Sequence, residues 1–234
     1  MTTEDVHVFG ESVLVRLGPV PLTATMLASV GVSTALLVVA LLLRHAVTRR
    51  PESTLSAVAV LTIEWLDDLV RAVVGRREPR LVTLAGSLFL YITAANLSGL
   101  LPGVHRPTAS LATTSALATI VFAAVPIVGI STRGFLGYLA HYVRPNPLFL
   151  PLHLVSELSR TLALSVRLFG NMMSGQLIVA LLVALAGFLV PTPLMALDLL
   201  IGLLQAYIFA VLATVYVGAA LRAAEERSPL VPAP

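Results

Sequence analysis

Four ionisable side chains, Glu157, Arg160, Arg167 and Asp198, and three amides, Asn171, Gln176 and Gln205, lie within two stretches so apolar that water should be absent from them. Arg167 poses the sharpest chemical question. A guanidinium cannot be deprotonated in a protein, and holding one in hydrocarbon costs from about 3 kcal/mol on insertion scales to about 10 or more in simulations. No carboxylate lies within one helical turn of Arg167 in its own stretch. The chemistry open to such a group is electrostatic: a fixed cation that attracts an anion, or that pairs with an acid from the final helix. On an ideal helix Arg160, Arg167 and Ser174, seven apart, share one face, with Asn171 one turn from Arg167. Gln176, nine positions beyond Arg167, sits about half a turn round and roughly 14 Å along, on a different surface. Asp198 and Gln205 are again seven apart and aligned.

Each of these residues also has a plainer reading. Glu157 and Arg160, three apart, have the spacing of an intrahelical ion pair. Asn171 and Gln205 have the character of interhelical hydrogen-bond glue, and Asp198, five residues after Pro193, is close enough to a helix start to snorkel. Ala163, Ser165, Gly170, Ser174 and Gly175 surround the cation with small side chains. That composition suits close helix packing or a smooth face past which something slides. His105, His141 and His153 do not have metal-ligand spacing, and cysteine is absent, so thiolate sites, disulfides and cysteine nucleophiles are excluded.

The elements that position these groups follow from hydropathy. Of 234 residues 57% are hydrophobic and 12% charged, with a mean hydropathy of +0.94; this is the composition of an all-α integral membrane protein embedded in a lipid bilayer. The basic residues are all arginine, and with no basic patch interleaved with aromatics, nucleic acid is not an expected partner. Apolar runs predict spans over residues 22–43, 81–101 and 109–130, followed by two long helices over 149–190 and 193–222, with a connector over 131–147. The first long run would extend roughly 60 Å and the second roughly 45 Å against a hydrocarbon core of about 30 Å, so both must tilt strongly or kink. PTP at 191–193 turns one into the other, making a hairpin. Between the first two spans, Glu64, Asp67, Asp68 and Arg71 form a charged stripe at helical spacing, which predicts an interfacial amphipathic helix with Leu66, Val70 and Val73 facing lipid or protein.

Loop charge sets the expected orientation. The segment 44–80 carries Arg44, Arg49, Arg50, Arg71, Arg76, Arg77 and Arg80, whereas the opposite loop 102–108 carries only Arg106. The N-terminus is therefore expected outside and the C-terminal tail, with Arg222 and Arg227, in the cytoplasm. The acidic start MTTEDVHVFGE has no basic n-region, so a cleaved signal peptide is not expected. On this division residues 1–21 are an extracytoplasmic segment, 22–43 the first transmembrane helix, 44–80 a cytoplasmic basic loop, 81–222 the functional core and 223–234 a cytoplasmic tail.

ELSRTLALSVRLFGNMMSGQLI, residues 157–178, resembles the signature of subunit a in the membrane sector of F-type rotary ATP synthases; LLQAYIFAVLATVYVGAAL at 203–221 and NLSGLLPG at 96–103 resemble two further motifs of that family. The resemblance implies a stator that conducts ions through two offset half-channels to and from a ring of c subunits and couples that flow to rotation. Protons are the expected ion and sodium the alternative. It also implies a bacterial inner-membrane location and peripheral-stalk b subunits as partners. It assigns to Arg167 the attraction of ring carboxylates and the blocking of leakage between half-channels. The chain departs from the family's pattern in having Gln176 where glutamate is common, Asp198 where histidine is common, and Ser110 and Ala112 in place of polar family residues. These departures resemble a branch that includes sodium-pumping enzymes. They lead to the expectation that Asp198, as relay carboxylate, lines the extracytoplasmic half-channel with Gln176 and Gln205. Asn171, Ser174, Glu157 and Arg160 are further pathway candidates. No cofactor and no metal site is implied, and with no GxxxxGK[ST] the chain is not expected to bind nucleotide or act as an enzyme by itself. The alternative function is a secondary transporter binding an anionic substrate at Arg167, but its usual internal repeats are not found.

Overall fold

The computed structural model describes residues 13–17, 20–100, 106–143, 150–187 and 192–225. A short antiparallel hairpin, β1 (Val13–Leu17) and β2 (Val20–Thr23), precedes six helices: α1 (Ala24–Arg49), α2 (Thr54–Val74), α3 (Pro79–Ser98), α4 (Leu111–Val143), α5 (Leu150–Ala186) and α6 (Thr192–Glu225). A 3-10 turn, Pro107–Ala109, leads into α4. Five helices, all but α2, are long and apolar enough to cross a membrane, in agreement with the expected spans. Exposure on this molecule therefore means openness to lipid or to a partner surface.

Local chemistry sets the ends of these elements. The hydroxyl of Thr23 accepts from the Met26 amide at 3.3 Å to cap α1, and Ser53 accepts from Ser56 at 3.2 Å to cap α2. Gly75, at φ +83°, ends α2 in a left-handed turn, and Gly187, at φ +72°, does the same for α5. Pro79 and Pro193 occupy first-turn positions of α3 and α6, where a missing N–H costs nothing.

The apolar span ends at Thr132, close to the expected 130, and the connector expected over 131–147 is itself helical where it is described. Helix continues through it to Val143, broken only at Gly134 (φ 73°, ψ 164°), a conformation open to glycine alone. Pro126 stays inside α4, as proline does in apolar helices whose neighbours satisfy the freed backbone groups. Arg144, Pro145, Pro147, His105, the first 12 residues, Pro191, Arg227 and the end of the tail lie outside the described residues.

The charged stripe on α2 divides. Asp67 is buried and held by Arg71 at 2.8 Å and Arg77 at 3.1 Å, while Glu64 and Asp68 stay exposed. Leu66 and Val70 face protein, not lipid, and Trp65 meets the rings of Phe89 (5.1 Å between centroids) and Tyr207 (6.3 Å), tying α2 to α3 and α6. Arg222 donates to the Val73 carbonyl at 2.7 Å, a cation at the C-terminal end of α2.

The last helix is the centre of the bundle. Ala206, Phe209, Ala210, Ala213 and Val217 are fully buried and join two apolar clusters, one shared with α3, α4 and α5, the other with α2, α3 and α4. A 37-residue α5 extends roughly 55 Å and a 34-residue α6 roughly 51 Å, so each must cross obliquely, as their sequence lengths require. At Gly202 the backbone of α6 meets α3: a Cβ there would stand 3.2 Å from the Cβ and Nδ2 of Asn96. Gly202→Val is accordingly expected to destabilise the fold by about 1–3 kcal/mol through overpacking, whereas Gly31→Ala inside α1, with nothing within 4 Å, is expected to stabilise it by about 0.5–1 kcal/mol. Thermal unfolding of the detergent-solubilised chain, read for both variants, checks this.

Candidate functional site

Arg167 lies on the open face of α5. It is exposed, and among the described residues it has no hydrogen bond or ion pair. Around it the same face presents Leu162, Val166, Met173 and Leu177, each at least 40% exposed, together with the exposed small residues Ala163, Gly170 and Ser174. Leu164, Leu168 and Met172, on the other side of the helix, are within 2% of full burial. The small residues expected to cluster about the cation thus serve two surfaces. Ala163, Gly170 and Ser174 keep the open face flat. Ser165 and Gly175 face inward, the first donating to Thr114 Oγ1 at 3.3 Å and the second so close to α6 that a Cβ would overlap the Asp198 carboxylate.

Inside the bundle a polar column runs along one face of α6 at spacing i, i+4, i+7: Asp198, Gly202 and Gln205. Each is engaged from a different segment. Asp198, 7% exposed, forms an ion pair with Arg106, which is 5% exposed and enters just before the 3-10 turn. The Gly202 carbonyl accepts from Asn96 Nδ2 at 2.8 Å, while Asn96 Oδ1 accepts from the Thr108 hydroxyl at 2.6 Å. Gln205 Oε1 accepts from Asn171 Nδ2 at 3.0 Å. The column therefore ends one helical turn from Arg167 on α5. Among the described residues Ser110 Oγ and Gln205 Nε2 are buried without a hydrogen-bond partner, as groups that a water would satisfy.

Of the three residues expected to line one half-channel, two stand on one face of α6 and the third on α5. Asp198 and Gln205 align and are buried, but Gln176, half-buried, is hydrogen-bonded to neither. Snorkelling of Asp198 is ruled out by its burial and its partner. That partner was not legible from hydropathy, which shows Arg106 only as a loop charge. The signal was available, since the loop before α4 and the start of α6 flank the same end of the bundle, and a buried acid requires a cation. At the opposite end of α5, Arg160 stacks on Tyr216, its Cζ 4.6 Å from the ring centroid. With Glu157 and Thr161 these two residues line a cavity of about 10 Å³ against α4, room for about one water.

The outer face of this multi-pass membrane protein thus carries a cation with no ion pair among the described residues, beside an inner column of amides and a paired acid. Over residues 24–218 the chain matches the family described as ATP synthase A chain. It is 42% identical over 214 residues to "ATP synthase subunit a 2" of Bradyrhizobium sp., covering 90% of this chain and 94% of that one. With "ATP synthase subunit a 1" of Hahella chejuensis the identity is 38% over 92% and 91%, and with "ATP synthase subunit a 1" of Chlorobium luteolum 52% over 64% and 68%. The chain belongs to the subunit a family of F-type ATP synthases, the ion-translocating stator component of the membrane sector, which is not itself the ATP-handling part. The transporter alternative finds no support in these likenesses.

Proposed function

We propose that Arg167 faces the ring of c subunits and attracts each ring carboxylate as it passes, while the polar column and the Glu157–Arg160–Tyr216 region form the two half-channels. The carrying observation is a permanently charged side chain on an uncovered apolar face, with no ion-paired acid among the described residues. In a site of low dielectric that cation favours the ionised state of an approaching carboxylate, so the ion bound to the ring leaves toward one half-channel. The same fixed charge repels a cation attempting to cross directly.

The chain sits in a bacterial inner membrane, N-terminus outside and C-terminus in the cytoplasm, with the arginines of 44–80 on the cytoplasmic side. In that orientation Asp198, Gln205 and Asn171 line the extracytoplasmic half-channel. Gln176 and Ser174 stand at its α5 wall, and Glu157 and Arg160 at the cytoplasmic one. Peripheral-stalk b subunits hold the chain against rotation. Protons are the ion carried, with sodium the second reading because the column's ligands are amide, hydroxyl and carboxylate oxygens, which suit hard cations.

The absence of cysteine permits a direct test. A single cysteine at Leu162, Val166, Met173 or Leu177 is expected to form an oxidative cross-link to a cysteine placed near the ring carboxylate. One at Leu168 or Met172, both 0% exposed, is not. Cross-linking from the buried positions alone would overturn the assignment of this face. ATP-driven uptake in vesicles then separates the two ions: collapse by a protonophore marks protons, and dependence on added Na⁺ marks sodium.

A further inference from the structure

We propose that Arg106 is a positioning residue for ion passage, neutralising Asp198 so that a cation entering the extracytoplasmic half-channel is admitted there but not trapped. The proposal rests on the reading that Asp198 lines that path. Three observations lead to it. The pair is buried on both sides, the side chains being 6% and 8% exposed. Both partners are wedged against glycines: a Cβ on Gly99 would overlap the Arg106 side chain, and one on Gly175 would overlap the Asp198 carboxylate. The carboxylate is thereby held between α5 and the guanidinium. Finally, the two stand at the outer end of a column whose next members, Gly202 with Asn96 and Gln205 with Asn171, are neutral.

A conduction path needs sites that attract an ion strongly enough to admit it and weakly enough to release it. A lone buried carboxylate fails the second condition, because nothing but the arriving cation offsets its charge. An adjacent guanidinium makes the site neutral overall while leaving the carboxylate's dipole to face the path. Arg106 suits this role because it cannot discharge and its side chain is buried at the start of the turn Pro107–Ala109. Its side chain touches the carboxylate and acts on the ion through it.

The test uses the complete complex in vesicles, with gradient-driven ATP synthesis read against the coupling ion on the Asp198 side, by varying Na⁺ and pH separately. Arg106→Gln is expected to lower the half-saturating ion concentration by about tenfold or more while also lowering the maximal rate. Arg106→Lys, which keeps a charge but lacks the planar fork, falls between the two and decides the matter if Arg106→Gln yields no assembled complex. A maximal rate that drops with unchanged half-saturation in these variants makes Arg106 a merely structural residue and overturns the proposal. The doubly neutral Arg106→Gln/Asp198→Asn variant keeps the underlying reading separate. Half-saturation above the wild-type value there supports Asp198 in the path even if Arg106→Gln has sunk the proposal. A wild-type value removes Asp198 from the path and the proposal with it.

Discussion

Arg167→Ala is expected to slow ion transport by the assembled complex by roughly three orders of magnitude while leaving its assembly intact. A guanidinium and a carboxylate about 4 Å apart attract by about 4 kcal/mol at an effective dielectric of 20. Losing that from the step in which a ring carboxylate gives up its ion corresponds to about a thousandfold, at about 1.4 kcal/mol per decade. Assembly is spared because the side chain is exposed and makes no hydrogen bond or ion pair within the described chain. Arg167→Lys is expected to fail almost as badly: an ammonium is a compact, strongly hydrated charge that pays more to enter this face and lacks the planar fork. ATP-driven ion uptake by reconstituted vesicles is the measurement. Uptake within threefold of wild type in the alanine variant ends the charge-barrier mechanism.

The second large effect concerns stability. Asp198→Leu strands the Arg106 guanidinium in the bundle, 5% exposed and without the carboxylate that pairs with it. Breaking a buried pair from one side costs about 3–5 kcal/mol, whereas replacing both members by apolar residues of similar volume is often neutral. Asp198→Leu should therefore deplete the chain from purified complex, as read by quantitative blotting, and Arg106→Met/Asp198→Leu should restore its amount. Ion transport should not return with it, because the polar column would be interrupted at its outer end. Recovery of both would make the pair purely structural, and recovery of neither would mean that packing at Gly99 and Gly175, not charge, holds this region together.

Sequence reasoning located the helices to within a few residues where composition speaks for itself. α5 and α6 were legible because an apolar run is a property of consecutive residues, and Arg167 because a charge in such a run is conspicuous without neighbours. The 3.5- to 3.6-residue repeat also placed Asp198 and Gln205 on one face, where the fold keeps them. The end of the third span was legible too, within two residues of Thr132, but the helix beyond the kink at Gly134 was not, because Arg133, Gly134 and His141 look like loop composition.

What the sequence by itself determined, then, is the number of spans, the presence of a cation within a long apolar run, and the family. Those depend on local hydropathy and on a contiguous motif. Only the tertiary structure decided which side of α5 is left open, which acid takes Arg106, and which amides meet Gly202 and Gln205. Arg106 and Asp198 are separated by 92 positions and Asn171 and Gln205 by 34. Such pairings are fixed by how closely glycine-bearing backbones approach one another, a distance that no periodicity along the chain contains.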